Sequence, residues 1–445
     1  MYFEQFYLSC LAHASYMLAS DGIAVVVDPQ RDVDLYIDEA AKQGFRIAYV
    51  IETHLHADFV SGHRELAART GATIYLGAKA GATFPHVDVF DGDELTFGQC
   101  KLRFLETPGH TPESICILVS DVIETPEAFA LLTGDTLFIG DVGRPDLSDE
   151  FTPRQLAGML YDSLHNKILT LADDVKVYPA HGAGSLCGRQ IGAEKFSTVG
   201  LQKLGNYACQ PMSREAFIDL LTTDLPVRPD YFAQDVAINR TGASALSEQA
   251  PLVALTEIPE AATVLDTRPA HQYGAAHIPG SIHIALGGQF AAWAGTILGL
   301  DKTIVLVTED LAAAQEASLR LARVGIEKVA GYLDGGIADW KGDLASIPQI
   351  GVQEIASVEG LQILDVRLPT EYAAGTMPNA VQRPLDSHTG TIEQLDKHRP
   401  VLVHCKSGYR SSIATSLLER AGFKDVLNLV GGYDAVDIHQ PAKAN

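Results

Sequence analysis

The sequence predicts an α/β multidomain chain, and three observations carry that reading. Short apolar runs alternate with segments of helical periodicity over the whole length. In the first half, clusters of histidine and aspartate fall directly after the apolar runs. In the second half, one pattern of strands and loops occurs twice, at an offset of about a hundred residues.

The bulk numbers bound the function. The 445 residues are 47% hydrophobic and 20% charged, an ordinary globular composition with length for roughly two to four domains. A net charge of −23 argues against nucleic acid or an anionic membrane as partner, since both need a basic face. Six cysteines (10, 100, 116, 187, 209 and 405) are spread widely without a CxxC pair, which suits reduced thiols and a cytoplasmic protein. The start, MYFEQFYLSCLAHASYML, lacks a basic n-region, so no signal peptide is expected. No apolar run approaches the roughly 20 residues of a membrane span.

The elements of the first half follow in order. Ile23–Asp28 reads as a strand stopped by Pro29. Val33, Tyr36, Ile37, Ala40 and Ala41 recur at helical spacing, and Gly44 follows as a C-terminal cap. Arg46–Glu52 is the next strand, then Lys101–Glu106, Ala128–Thr133 and Val175–Tyr178. Thr152-Pro153-Arg154-Gln155 is a capping box with proline at the first helical position, so a helix starts there. Ala216, Phe217, Leu220 and Leu221 give a helical face. The segment Leu201–Arg240 reads as structural, with LPVRPDYF as extended chain leading out of the domain.

Chemistry gathers at the breaks. Thr53–His63 reads THLHADFVSGH, and neutral imidazole and carboxylate are metal ligands. His54, His110, Asp135 and His181 each come directly after a predicted strand. Strand ends of one sheet lie side by side, so four distant residues can converge on one point. Singly, each also reads as a loop residue; the coincidence of four makes the metal reading.

HxHxD, TPGH, TGD and PAHG, in that order, resemble the metallo-β-lactamase fold, an αββα sandwich with its metal site on one edge. The resemblance covers roughly the first half of the chain. Most members of that superfamily carry HxHxDH and hold two metals; here Phe59 stands where the final histidine would be. That implies one metal, and it argues against hydrolysis by a two-metal-bridged hydroxide. Two histidines and one carboxylate with open positions form the facial triad of non-haem Fe(II) oxygenases. THLHADF, the run FIGDVGRPDL and YPAHG are similar to the persulfide dioxygenase branch. By that resemblance His54, His110 and Asp135 are the ligands of a mononuclear Fe(II), and His56, Asp58 and His181 orient ligands and substrate. Spacing alone leaves His56 open as a fourth ligand.

Three further positions stay open on sequence. Cys187, in the loop GAGSLCG, either faces the metal and handles sulfane sulfur or is a small buried side chain. Arg144 either binds an anionic substrate group or pairs with Asp141 or Asp146. Cys10, Cys100 and Cys116 read as core.

The second half is an internal repeat. VLDTRP at Val264 matches ILDVRLP at Ile363, and TIVLVT at Thr303 matches PVLVHC at Pro400. Strands alternate with helical patterns such as Ala414, Leu417, Leu418 and Ala421, which implies parallel sheets. The copies meet near Ala345–Val352, so the expected domains are 1–240, 241–347 and 348–445. The second copy carries His404-Cys405-Lys-Ser-Gly-Tyr-Arg410. A cysteine between a strand and a helix N-terminus has its thiolate stabilised by backbone N–H groups and the helix dipole, and Lys406 and Arg410 add positive charge. The first copy has Thr308 at the same offset and cannot act as a thiol nucleophile. DxR, then a tyrosine and proline loop, then CKSGYR, resembles the rhodanese family of sulfurtransferases. Protein tyrosine phosphatases share the HC…R pattern but with a longer loop; four residues lie between Cys405 and Arg410. The resemblance implies that Cys405 carries a persulfide, with Asp365, Arg367 and Arg410 as supports.

The whole chain thus resembles persulfide dioxygenase–rhodanese fusions with one degenerate and one active rhodanese copy. The implied activity is oxidation of a low-molecular-weight persulfide with O₂ to sulfite. Sulfur transfer through Cys405, giving or using thiosulfate, accompanies it in sulfide detoxification. A homo-oligomer is expected. The rival readings are a glyoxalase II-type thioesterase, which Phe59 opposes, and a non-catalytic sulfur-carrier scaffold.

Overall fold

The computed structural model describes residues 1–123, 125–387 and 394–439. Two compact units form: Met1–Gln249 with Ala322–Gly325, and the remainder of the chain.

Two six-stranded sheets make the first unit. One contains β1 (Tyr2–Leu8), β2 (His13–Ser20), β3 (Ile23–Val27), β4 (Arg46–Ile51), β5 (Thr73–Gly77) and β6 (Val87–Val89), in that spatial order. The other contains β7 (Glu94–Phe97), β8 (Cys100–Glu106), β9 (Ile115–Asp121), β10 (Thr125–Gly134), β11 (Lys176–Pro179) and β12 (Ser197–Thr198), again in order. The first sheet turns from antiparallel to parallel at β3–β4. The second is antiparallel as far as β10, and β10 pairs with β11 in parallel.

Alternation along the strands explains the layers. Tyr16, Val25 and Ile51 of the first sheet meet Phe104, Ile117 and Leu132 of the second in one core. The opposite faces carry their own apolar rows and take helices. Met17, Val26 and Val50 pack under Tyr36 and Ala40 of helix Asp34–Gln43 and Leu66 of helix His63–Thr70. Leu118, Leu131 and Val177 pack under helix Pro153–Asn166 and helix Arg214–Thr222. The result is the expected αββα sandwich. The Thr152 capping box is present, and Gly44 ends its helix at a φ of 74°.

The Leu201–Arg240 reading needs two corrections. Helix Arg214–Thr222 buries Phe217, Ile218 and Leu221, while Ala216 and Leu220 face solvent. The chain does not leave the domain after LPVRPDYF. It forms helix Tyr231–Thr241, which lies back against the loop after β4.

The remainder repeats one topology. β13 (Ala254–Leu255), β14 (Thr263–Asp266), β15 (Ile282–His283), β16 (Ile304–Val307) and β17 (Val329–Leu333) form a sheet of order 13-17-16-14-15. β18 (Gln349–Ile350), β19 (Gln362–Asp365), β20 (Val381–Gln382), β21 (Val401–His404) and β22 (Val426–Leu429) form another of order 18-22-21-19-20. Every strand pair described in both sheets is parallel, as the alternation with helices implied. No helix among the described residues is long and apolar enough to cross a membrane.

Candidate metal centre and cysteine loop

His54 follows β4, His110 lies four residues beyond β8, and Asp135 and His181 follow β10 and β11. The four therefore come from two sheets, not from one as the sequence suggested; they meet at the edge the sheets share. Gly134 permits the approach. It has a φ of +50°, and a Cβ there would stand 2.5 Å from Thr53 Oγ1.

Ligand atoms of His54, His110 and Asp135 lie within 4.8 Å of one another, and all three residues are buried. His54 Nε2 is 3.8 Å and His110 Nε2 3.3 Å from Asp135 Oδ2. The far nitrogens fix both tautomers. Thr53 Oγ1 donates to Asp28 Oδ2 at 2.9 Å, so His54 Nδ1 donates to Thr53 Oγ1 at 3.0 Å. His110 Nδ1 donates to the Arg144 carbonyl at 3.0 Å. Both Nε2 lone pairs then face Asp135 Oδ2. Burial pushes the His54 and His110 imidazoles below their usual pKa. Burial alone would raise Asp135, but His181, His54 and His110 outweigh it and hold the carboxyl well below its usual range. His110 Nε2 and Asp135 Oδ2 have no hydrogen-bond partner. Buried, unpartnered basic atoms pointing at one spot are costly unless a cation sits among them, so the residues present fit a metal ion.

The other proposed residues separate into two clusters. Asp58, His181 and Cys187 form one. His181 donates from Nδ1 to Asp135 Oδ1 at 2.8 Å, and its Nε2 lies 3.0 Å from Asp58 Oδ2, so it ties the two carboxylates together. Cys187 is buried beside them, packed with Phe138 and Ile191. His56 forms the other with Asp28 and Glu52, its Nε2 3.2 Å from both carboxylates. Burial would lower His56, but Asp28 and then Glu52 raise its pKa well above the usual value. That engagement separates it from the His54, His110 and Asp135 group. Phe59 is fully buried, its ring 4.2 Å from that of His13 and 4.4 Å from that of His56. Arg144 pairs with Asp146 at 2.6 and 2.8 Å and donates to the Leu186 and Pro226 carbonyls, which leaves it no role as an anion receptor.

Sequence reasoning missed three residues here. Asn239 donates to the carbonyls of His56 and Phe59, both at 2.8 Å, and accepts from Ser61 N–H at 2.8 Å. It pins the loop that follows His54. Tyr231 is buried, its hydroxyl unpartnered, with Asp58 raising its pKa after burial itself. His13, at the start of β2, has both ring nitrogens unpartnered. A cavity of about 360 Å³ lies along the loops that carry His54 and His110. Leu55, Ala57 and Thr111 line it, with Phe232, Arg228 and Arg240.

Cys405 follows β21, and Gly408 N–H donates to its sulfur at 3.1 Å. Helix Tyr409–Arg420 starts immediately after, with its N-terminus at the loop. Arg410 makes two bonds to Glu371, at 2.7 and 2.8 Å, while Lys406 is exposed. Arg367 pairs with Asp365 at 2.7 Å, donates to the Gly375 carbonyl and lies 4.2 Å over the Tyr433 ring. Arg268 and Asp266 make the same pair at 2.6 Å in the copy that lacks the cysteine. The DxR motif is therefore first a brace of the fold. Thr308 follows β16 at the place of Cys405, and its hydroxyl donates to the Asp310 carbonyl.

Comparison with known proteins agrees with this division. The Metallo-beta-lactamase superfamily model matches residues 8–181, and the Rhodanese-like domain model matches 249–343 and 352–439. A mitochondrial persulfide dioxygenase of Homo sapiens is 31% identical over 159 residues, 36% of this chain and 58% of its own length. A hydroxyacylglutathione hydrolase of Francisella tularensis subsp. novicida is 32% identical over 174 residues, 38% of this chain and 63% of its own length. The chain thus spans about three-fifths of each of these curated relatives. The crystal structure of a metallo-beta-lactamase from Staphylococcus aureus subsp. aureus COL superposes with a TM-score of 0.69 at 34% identity. That match covers 74% of this chain and 98% of the other.

Proposed function

We propose, given that this chain belongs to the metallo-β-lactamase superfamily and carries two rhodanese-like domains, that it oxidises low-molecular-weight persulfides and transfers sulfane sulfur. The first reaction is RSSH + O₂ + H₂O → RSH + SO₃²⁻ + 2 H⁺. In the second, Cys405 takes a sulfur from another persulfide, releasing RSH, and passes it to sulfite as thiosulfate or runs that step in reverse. The single observation that supports the oxygenase over a hydrolase is the donor set. Two imidazole nitrogens and one carboxylate oxygen face one point, and in the sequence Phe59 stands where the HxHxDH pattern has its last histidine. His54, His110 and Asp135 would hold one Fe(II), which supplies open positions for O₂ and a sulfur atom and the redox capacity to join them.

The chain's own residues supply the rest. Thr53 and the Arg144 carbonyl orient the two imidazoles, and His181 orients Asp135. The cavity beside them is of a size to take the carrier of the persulfide. Gly408 N–H donates to the Cys405 sulfur, and the N-terminus of helix Tyr409–Arg420 lies at the loop. Hydroxyacylglutathione hydrolases among the relatives favour thioester hydrolysis as the second reading, and Phe59 opposes it. The pathway served is sulfide detoxification in the cytoplasm.

Cys405→Ser tests the two-centre scheme. Sulfur transfer should vanish while persulfide-dependent O₂ uptake persists. Loss of both would overturn the scheme.

A further inference from the structure

We propose that the rhodanese-like copy without a cysteine is the seat on which the cysteine loop of the other copy is positioned, with Tyr409 as the positioning residue. The proposal rests on the reading of Cys405 as a sulfur carrier.

Tyr409 stands between the two residues that flank the sulfur. Gly408 before it donates its N–H to Cys405 Sγ, and Arg410 after it is the loop's inner cation. The Tyr409 side chain, however, belongs to the other copy. Its hydroxyl is shared between the carbonyls of Ala285, at 2.8 Å, and Gly287, at 2.9 Å. Burial raises the phenol's pKa far above its usual value, so it remains a donor at any working pH. The receiving loop is itself held. Leu286 donates its N–H to the Thr267 carbonyl at 2.9 Å, and Arg320 donates to the Leu286 carbonyl at 2.7 Å. Arg320 is in turn paired with Glu316 at 2.6 Å.

The rest of helix Tyr409–Arg420 is strapped along the same face. Ser416 accepts from His283 N–H at 3.1 Å, and Glu419 meets His277 Nε2 at 3.1 and 3.2 Å. Arg420 donates to the Gly280 carbonyl. Residues 409, 416 and 420 share one helical face by their spacing. On its own side the loop is backed by Tyr433 N–H on the Cys405 carbonyl, at 2.8 Å, and Asp434 N–H on the Lys406 carbonyl, at 3.0 Å. The sulfur cradle is thus a backbone loop gripped from both sides. A cradle made of backbone N–H groups works only when their positions are fixed to a fraction of an ångström. The other copy supplies that fixity through one phenol, a role that needs no cysteine. Its retention of fold without chemistry follows.

The test uses the full chain. Tyr409→Phe keeps the ring and removes only the donor. Two readouts are taken: steady-state sulfur transfer from thiosulfate to cyanide, and the pH dependence of Cys405 alkylation by iodoacetamide, followed on the Cys405 peptide. The expected result is a KM for thiosulfate raised roughly threefold to tenfold, with the alkylation midpoint moved upward. Unchanged KM and midpoint overturn the proposal, and so does a fall in melting temperature with both unchanged, since that is a purely structural role. Should Tyr409→Phe fail to fold, Arg320→Met decides, because it loosens the Leu286 seat and leaves every residue of the cysteine loop unchanged. The same direction of change supports the proposal, and no change overturns it. Cys405→Ser in the same assay must abolish transfer. If it does not, the sulfur-carrier reading fails on its own account.

Discussion

His110 Nε2 and Asp135 Oδ2 face each other at 3.3 Å, fully buried, and neither has a hydrogen-bond partner. A lone pair opposite a carboxylate oxygen is repulsive in a dry site, and a cation between them removes the repulsion. Metal removal should therefore cost stability. With metal at a hundredfold to a thousandfold its dissociation constant, the loss on chelation is about 3–4 kcal/mol. Thermal unfolding with and without chelator measures it. Asp135→Asn should bind almost no metal, and elemental analysis checks that.

Phe59→His should raise the metal content. The new imidazole would stand beside His13 and His56, within the wall that also contains Asp58 and His181. Elemental analysis after loading should give more than one metal per chain in the variant. An unchanged content would mean that Phe59 is not what limits the site.

Asn239→Ala should destabilise the first unit by about 2–4 kcal/mol. It leaves the His56 and Phe59 carbonyls and Ser61 N–H without the partners they have now. Denaturant unfolding measures the loss, and metal affinity should fall with it because the loop carries His54.

Asp365 sets a pH dependence. Burial would raise its pKa, but Arg367, His404 and Thr376 outweigh burial and hold it below the usual range. A depressed folded pKa means stability that is complete above the unfolded value of about 3.9 and is lost as pH falls through the folded value. Melting temperature of the wild type should therefore drop as pH is lowered below about 4. Asp365→Asn should already be less stable at neutral pH and should show a shallower drop over that range.

The sequence made the site's parts legible because each sits where an apolar run breaks, and that signal is local. His54, His110, Asp135 and His181 could be read this way. Their origin in two facing sheets could not, since alternation gives a strand's faces but not its sheet. Asn239 and Tyr231 escaped for a related reason. The partners of Asn239 lie far off in sequence, 183 residues away for His56, the Tyr231 hydroxyl has no hydrogen-bond partner, and a polar residue in a helix reads as solvent-facing. Helix Arg214–Thr222 shows the limit of periodicity: Ile218, not Leu220, is the inner residue that joins Leu160 and Leu164 in the core, and that depends on neighbours remote in sequence. The repeat in the second half was fully visible, but the direction of the Tyr409 side chain was not.

The proposed oxygenase has one metal on His54, His110 and Asp135. It is tested most directly by metal analysis of anaerobically purified protein, followed by O₂ uptake with a persulfide and, separately, hydrolysis of a thioester. About one iron per chain and O₂ consumption that depends on the persulfide are the expected results. About two zinc ions per chain, with thioester hydrolysis and no O₂ uptake, would contradict it.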